Sequence, residues 1–561
     1  MVKWHSKKLG DLLLLANGVV IVVLVNLLAA QFFFRIDLTE EKRYSIKQPT
    51  RDILGDLQDD VHVEVFLTGD LNPGFERFRK AIQETLEEFR IYSGNKVHYS
   101  FTNPGAASSQ KARNEYMGSL AAKGIQPTNV VDTHDGQRTE KIVFPGVLLA
   151  SGGRELGVTL LKDNKSRTPE EKINQSIEGI EFELVNAIHK LTAEDRKRIG
   201  LVRGHDELDS LSIAAFNNAL LEAYDVYRVD LSASERLATY DVLVIAKPRR
   251  AFSPLDKYNL DQYILNGGRT LFLLDKMEAT MDSASRDDYF AFPYETNLDD
   301  QLFRYGVRLN PDLVQDLTSG VYPVVTGQMD GKPNMQLLEW PFFPLVNHYA
   351  DHPITRNLDA VITKFTSTID TVKAPGVKKT PLLFTSDRSR VLIAPVRVSV
   401  AELRENPAAE TFTAGRLPLG YLLEGPFISV YKNRFLPDGV DKQKFKEQGV
   451  ATKMIVIADG DLAANVVNPR SGQPQELGFD PFTQYTFANR DLLMNIMAYL
   501  TDENGLILAR NKEVKIRPLN REKVRDERLT WQLINIALPL GVLVVYGLVR
   551  AYMRKKKYAG F

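Results

Sequence analysis

The segment TLFLLDKM (270–277) sets two ionisable residues, Asp275 and Lys276, at the end of a short apolar run. In an open α/β sheet, the loop beyond a strand's carboxyl end is where ligands and nucleophiles sit. A nucleophile elbow there needs a serine or cysteine with a base in reach, and neither is present, so these residues read as a polar strand end. RGHDE (203–207) gathers His205, Asp206 and Glu207 after another probable strand, and side chains of these types bind divalent metals or trade protons. Adjacent positions in a turn point apart, however, and the eight histidines of the chain form no HExxH or HxH, so a solvated turn is expected. ADGD (458–461) lacks the further spaced acids of an EF-hand loop, which leaves Asp461 as the cap of a following helix. EWPFFPLVNHY (339–349) concentrates Trp340, Phe342, Phe343 and Tyr349 with two prolines. It suits a ligand or partner surface, or equally a core wedge between domains.

Composition removes whole classes of chemistry. The chain has no cysteine, which excludes disulfides, thiolate zinc sites, iron–sulfur clusters and cysteine nucleophiles. There is no Walker A loop and no GxGxxG, so nothing points to a nucleotide cofactor, and no cofactor or metal site is expected. Lys+Arg and Asp+Glu both number 71, so no basic excess suggests nucleic acid. The charge is uneven along the chain. Lys3, Lys7 and Lys8 precede Asp11, and Arg550, Arg554, Lys555, Lys556 and Lys557 close it; taking these away leaves 63 basic against 70 acidic residues over 12–549.

The elements that would position these residues follow from periodicity. VHVEVFL (61–67), a helical pattern over 74–93 and KVHYSFTNP (96–104) make strand, helix and strand, the start of a first α/β domain over 35–173. Residues 174–198 carry a long amphipathic pattern and read as a connecting helix. From 199 to 529, the short apolar strands IGLV, YDVLVIAKP, TLFLL and KMIVIA alternate with helices, which predicts a mostly parallel sheet covered on both faces, interrupted by a β-rich insertion beyond about Asp300. Residues 371–379 and 406–415 read as exposed loops.

Two stretches are suited to a bilayer. Residues 12–34 contain no charge, enough at 1.5 Å per residue to cross a core of about 30 Å, and bulky aromatics stand where signal cleavage needs small residues. Residues 530–549 are also uncharged, with Trp531 and Tyr546 near their ends. The basic residues of 1–11 and 550–561 place both termini in the cytoplasm, with the chain between them outside. Arg521, Lys523, Arg525 and Arg528 on the outer flank oppose this, with Glu522, Asp526 and Glu527 interleaved. In the first stretch Asn17 and Gln31 lie within about 40° of one another on a helix and Asn26 faces nearly the opposite way. In the second, Asn535 and the small pair Ala537 and Gly541 would let another helix approach closely. These six are the helix-docking candidates.

Several segments in order carry a resemblance: RIDLTEEKRYSI (35–46), NQSIEGIEFELVNAIHKL, YGVRLNPDLVQD, DHPITRNLDAV and LEGPFISVYKNRF. Over essentially its whole length the chain resembles the gliding-motility-associated ABC-transporter auxiliary family of the Bacteroidota (GldG). The resemblance implies a membrane-anchored, non-enzymatic subunit with a periplasmic amidotransferase-like (flavodoxin-like) α/β domain that lacks catalytic residues. It implies as partners a separate ABC-type permease and, through it, a cytoplasmic ATPase, in gliding and the secretion that gliding shares. The inner membrane and its lipid are the expected setting. A receptor for a glycan or peptide is the alternative, and a hydrolase would require a constellation that the sequence does not display.

Overall fold

The computed structural model describes residues 7–31, 46–69, 71–106, 109–134, 137–162, 168–192, 196–232, 234–286, 289–329, 332–404, 408–503, 505–507 and 526–558. Helix α1 covers Lys7–Gln31. A first layer then forms from α2 (Gln48–Gly55), β1 (Val61–Val65), α3 (Pro73–Tyr92), β2 (Val97–Phe101), β3 (Gly146–Ser151) and β4 (Arg154–Thr159), with the strands in the order β2-β1-β3-β4. β1 runs parallel to β2 and antiparallel to β3. The alternation in VHVEV buries Val61, Val63 and Val65 on one face. α3 starts where Asn72 accepts a hydrogen bond from the Phe75 amide with Pro73 in the first turn, and its buried stripe is Phe75, Phe78, Ile82, Leu86 and Phe89.

The helix expected at 174–198 runs instead from Pro169 to Thr192 (α4). Its stripe, including Ile173, Ile180, Leu184 and Ile188, packs on α3 and on the first sheet, so it is a layer of that unit, and Arg198 already opens the next strand.

The second sheet has eight strands. β5 (Arg198–Arg203), β6 (Asp225–Asp230), β7 (Val242–Ala246), β8 (Arg269–Leu273) and a late strand of residues 448–457 are mutually parallel in the order β6-β5-β7-β8-late, which is 2-1-3-4-5 in sequence. That is one of the two common doubly wound orders, and its switch point lies between the ends of β5 and β7. Helices α5 (Ala214–Leu221) and α6 (Pro254–Leu265) lie in the connections. Alternate residues of each strand enter different cores: Leu201, Val244, Leu271 and Ile455 join the one that also holds α4, while Val202, Ile245, Phe272 and Val456 join the one around α6. A sheet buried on both faces is why these strands are continuous apolar runs.

Between β8 and the late strand lie β9 (Asp312–Asp316), β10 (Ser319–Met329), β11 (Lys332–Val346), β12 (His348–Tyr349), β13 (Lys378–Phe384), β14 (Ser389–Ile393) and β15 (Pro418–Ile428); the late strand is β16 (Gln448–Ile457). β12, β13 and β15 extend the large sheet antiparallel beyond β16. Helix α7 (Asn489–Thr501) packs behind it.

Helix α8 (Arg528–Tyr558) belongs to a C-terminal unit of its own. Its segment Arg528–Met553, with mean hydropathy 2.0, is long and apolar enough to cross a membrane. In α1 the described apolar side chains run from Leu12 to Asn26, shorter than a span, and the side chains of 27–34 lie outside the described residues.

Candidate functional site

β7, β8 and β16 end side by side, and the register sets Leu273 level with both Ala246 and Ile457. Each strand then continues into an ionisable residue at the same edge: Lys247, Asp275 and Asp459. Lys247 donates its backbone N–H to the Leu273 carbonyl and holds φ at +55°, a left-handed conformation that a non-glycine residue keeps only where its surroundings over-determine it. That turn sends its side chain across the strand ends. Lys247 Nζ lies 2.9 Å from Asp275 Oδ2 and 2.6 Å from Asp461 Oδ1. The Gly460 N–H donates to Asp275 Oδ1 at 2.5 Å. Asp459 accepts from the Asp461 N–H at 2.7 Å and from the Lys364 N–H at 2.8 Å. Gly460 is required by proximity, since a Cβ there would stand 2.7 Å from Lys247 Cβ.

Lys247, Asp275 and Asp459 are all buried. Burial works against the Lys247 ammonium, but the Asp275 and Asp461 carboxylates outweigh it and hold its pKa above the ordinary lysine value. Burial pushes Asp275 up to about 6 against the pull of Lys247. Asp459 is raised well above a normal carboxyl, first by burial and then by the charges of Asp461 and Asp275. Carboxylate oxygens of Asp275, Asp459 and Asp461 approach within 4.8 Å of one another, a grouping of the kind that holds a cation. Here the positive charge is supplied by Lys247. A lysine held protonated is no nucleophile, so the arrangement is an ionic lock across three strand ends that can take up a proton. Asp461 therefore does not act as the expected helix cap: it opens a three-residue 3-10 turn and spends its carboxylate on Lys247, while Asp459 caps its amide. Lys276 turns aside to Asp299, at 2.8 Å.

RGHDE, at the switch point, is not the solvated turn expected. Gly204 (φ +117°) and Asp206 (φ +60°) both adopt left-handed conformations, which fold the loop back so that His205 and Glu207 point inward while Asp206 stays exposed beside Arg249. His205 Nδ1 lies 3.0 Å from Glu207 Oε1 and Nε2 lies 3.4 Å from Asp256 Oδ2. The ring stacks flat on Phe252 at 3.6 Å. Burial opposes the imidazolium, but the hydrogen bonds and charges of Glu207 and Asp256 prevail, so the His205 pKa is raised. A crevice of about 260 Å³ opens alongside, lined by Arg203, Asp206, Asp209 and Arg228.

The aromatic segment is also placed differently from a ligand or partner surface. Trp340, Phe342 and Phe343 lie in β11 and are at most 4% exposed. Trp340 packs on Phe343, Tyr322 and Phe365 with ring centroids 4.8, 5.3 and 5.6 Å away. Leu313, Val324, Phe365, Val396 and Val398 close around them, so the cluster is a core within the insertion. Tyr349 is half-buried and donates its hydroxyl to the Val346 and Asp359 carbonyls. Of the helix-docking candidates, Asn17 and Asn26 are exposed on α1, and Asn26 donates its amide to the Val22 carbonyl one turn back. Asn535, Ala537 and Gly541 are exposed on α8. Gln31 ends α1, and its side chain lies outside the described residues.

Sequence reasoning passed over Lys247 and Asp256. Lys247 could have been found, because AKPRR, DKM and ADGD each follow a buried apolar run, and parallel strands bring such ends to one edge.

Residues 196–496 match the profile described as "ABC-type uncharacterized transport system", and residues 40–150 match a "Domain of unknown function (DUF7088)". An uncharacterized protein of Borreliella burgdorferi is 20% identical over 566 residues, covering 98% of this chain and 99% of the relative. Among solved structures, the mmIFT52 N-terminal domain is similar at 14% identity with a TM-score of 0.32, over 54% of this chain and 97% of that one. The first match takes in more than half of the chain, including every residue of the lock and of the His205 cluster, and the protein therefore belongs to the auxiliary-component family of the ABC-type uncharacterized transport system.

Proposed function

We propose that the chain is a non-enzymatic auxiliary subunit of an ABC-type transporter, working with a separate permease and through it a cytoplasmic ATPase, in gliding motility and the associated secretion. The observation that carries the non-enzymatic part is the ionic lock. The strand ends where an α/β enzyme would present its nucleophile are occupied by Lys247, Asp275, Asp459 and Asp461, which are committed to one another. Family membership supports the accessory role. Residues 12–34 and 530–549 are the two spans of this proposal, with both termini cytoplasmic and 35–529 periplasmic; the apolar length of Arg528–Met553 supports the second. The amidotransferase-like character of 199–529 is part of the same reading, supported by the 2-1-3-4-5 strand order.

In this reading the spans are docking helices. Interhelical amide contacts in bilayers contribute only about 0.6–2 kcal/mol each, so several must be removed together. The combination of Asn17→Leu, Asn26→Leu, Asn535→Leu and Gly541→Ile leaves the protein inserted but separates it from the permease when the native complex is purified in detergent. Co-purification equal to wild type would move the contact to the outer domain. A reporter active only in the periplasm, inserted in the exposed 373–376 turn, works there and fails when fused after Phe561; a cytoplasmic result for the turn ends the two-span topology.

A further inference from the structure

A second cavity lies away from the lock, where the first layer meets the second sheet. It measures about 530 Å³ and is bounded by Leu156 of β4, Phe182 of α4, Tyr224, Thr501 of α7 and Ile507. Small-molecule sites are clefts of this size, largely apolar with a few polar groups. The polar groups at the end of α4 are Asn186, His189 and Lys190.

Lys190 is set apart from the other cations of the wall. Lys197 is engaged by Glu503 at 2.7 Å and by Asp241, and Arg196 donates to the Leu221 carbonyl at 2.6 Å. Glu183 and Glu222 are the carboxylates that attract Lys190, yet Glu183 is taken by Lys162 at 2.6 Å and Glu222 by Arg490 at 2.7 Å. Among the described residues Lys190 has no hydrogen-bond or ion-pair partner, although solvent reaches it in the cleft. Its surroundings desolvate it enough to hold its pKa below the ordinary lysine value, despite those two carboxylates. His189 is likewise lowered by burial and stands neutral beside it. An exposed ammonium that no carboxylate engages, set beside apolar surface, can form a charge-assisted hydrogen bond to an incoming anion without breaking a bond to the protein.

We propose that this cleft binds a small amphipathic anion, with its carboxylate or phosphate group on Lys190 and its apolar body against Phe182, Tyr224 and Ile507. The site is independent of the transporter assignment. A single anionic group fits a wall with one unpartnered cation, and the apolar surface around it selects against free inorganic anions.

The test uses the full chain in lipid nanodiscs, with acetic anhydride labelling read lysine by lysine by peptide mass spectrometry. The competitors are 1-naphthoate, 1-naphthyl phosphate and the uncharged 1-naphthol. Lys190 is expected to be acetylated faster than the other exposed lysines, because its pKa is lowered, and to be protected by an anionic probe but not by naphthol. Protection by naphthoate alone assigns a carboxylate ligand, and protection by the phosphate alone assigns a phosphomonoester. In equilibrium dialysis with the protecting probe, Lys190→Gln weakens binding about tenfold or more while Lys190→Arg retains it; an unchanged far-UV circular dichroism spectrum shows that both variants are folded. Failure of both anions to protect Lys190 at millimolar concentration, equal protection by naphthol, or undiminished binding by Lys190→Gln would each overturn the site.

Discussion

Lys247→Met removes the positive charge from the lock and little else. Methionine keeps the unbranched stem and carries the same backbone strain at φ +55°, so the difference isolates the ammonium. It leaves Asp275 and Asp459 buried with their chief counter-charge gone. Removing one member of a buried pair costs about 3–5 kcal/mol. Proton uptake sets the ceiling: holding an aspartic acid of ordinary pKa near 3.9 neutral at pH 7.5 costs about 5 kcal/mol, but only about 1.5 kcal/mol at pH 5. In the wild type Asp275 already sits at about 6, so at pH 5 both proteins hold it protonated and the difference shrinks. The expected deficit is therefore about 3–5 kcal/mol at pH 7.5 and below about 2 kcal/mol at pH 5. At about 2 °C per kcal/mol for a large domain, the unfolding midpoint falls by about 6–10 °C at the higher pH. Tryptophan emission is a suitable signal, because Trp340 is buried in the insertion core whereas Trp531 is already exposed on α8. Adding Asp275→Asn to the variant should recover at least half of the loss. An unchanged midpoint at pH 7.5, a deficit independent of pH, or no recovery in the double variant would refute the lock.

Gly460→Ala, whose new Cβ meets Lys247 at 2.7 Å, should destabilise by about 1–3 kcal/mol in the same assay, and a neutral result would mean that the strand ends are looser than described. The raised pKa of His205 gives stability that is complete below the unfolded value, near 6.5, and is lost as pH rises through the folded value, so the advantage of wild type over His205→Gln should be larger at pH 5.5 than at pH 8.5; a flat difference refutes the coupling to Glu207 and Asp256. Trp340→Ala should lower stability by about 3–5 kcal/mol, measured by far-UV circular dichroism in denaturant, whereas a merely exposed recognition residue would lose binding with stability unchanged.

The parallel strands were legible because VLVIA, TLFLL and MIVI are buried on both faces, and a short continuous apolar run bounded by polar turns is what such a strand requires in an α/β chain. The site was only half legible. Asp275 and Asp459 were visible as strand-end acids, but their counter-charge lies 28 residues before the first of them, at a backbone angle that no composition reveals. His205 was misplaced for a similar reason. Its burial depends on two left-handed neighbours, on Phe252 in the loop after a different strand and on Asp256 in the first turn of α6. Trp340, Phe342 and Phe343 were ambiguous because an aromatic, proline-bearing segment looks the same in sequence whether other side chains of the chain close over it or not.

The lock also has a mechanical consequence. Asp459 accepts from the Lys364 N–H, and the Ala458 carbonyl accepts from the Thr366 hydroxyl and the Ser367 N–H, so the loop 364–367 of the insertion is bonded directly to the end of β16. Lys247 and Asp275 tie that end to β7 and β8. The edge at which a doubly wound sheet ordinarily opens a ligand crevice is thus the joint that fixes the insertion to the sheet. Buried charges and a strained lysine are costly features, and an enzyme keeps such features for chemistry at substrate. Here the same cost secures orientation, because an ion pair with bonds on three strands and one loop specifies a single arrangement, whereas an apolar edge of equal stability would tolerate sliding. Protonation of the lock toward pH 5 is the condition under which that single arrangement would be relaxed.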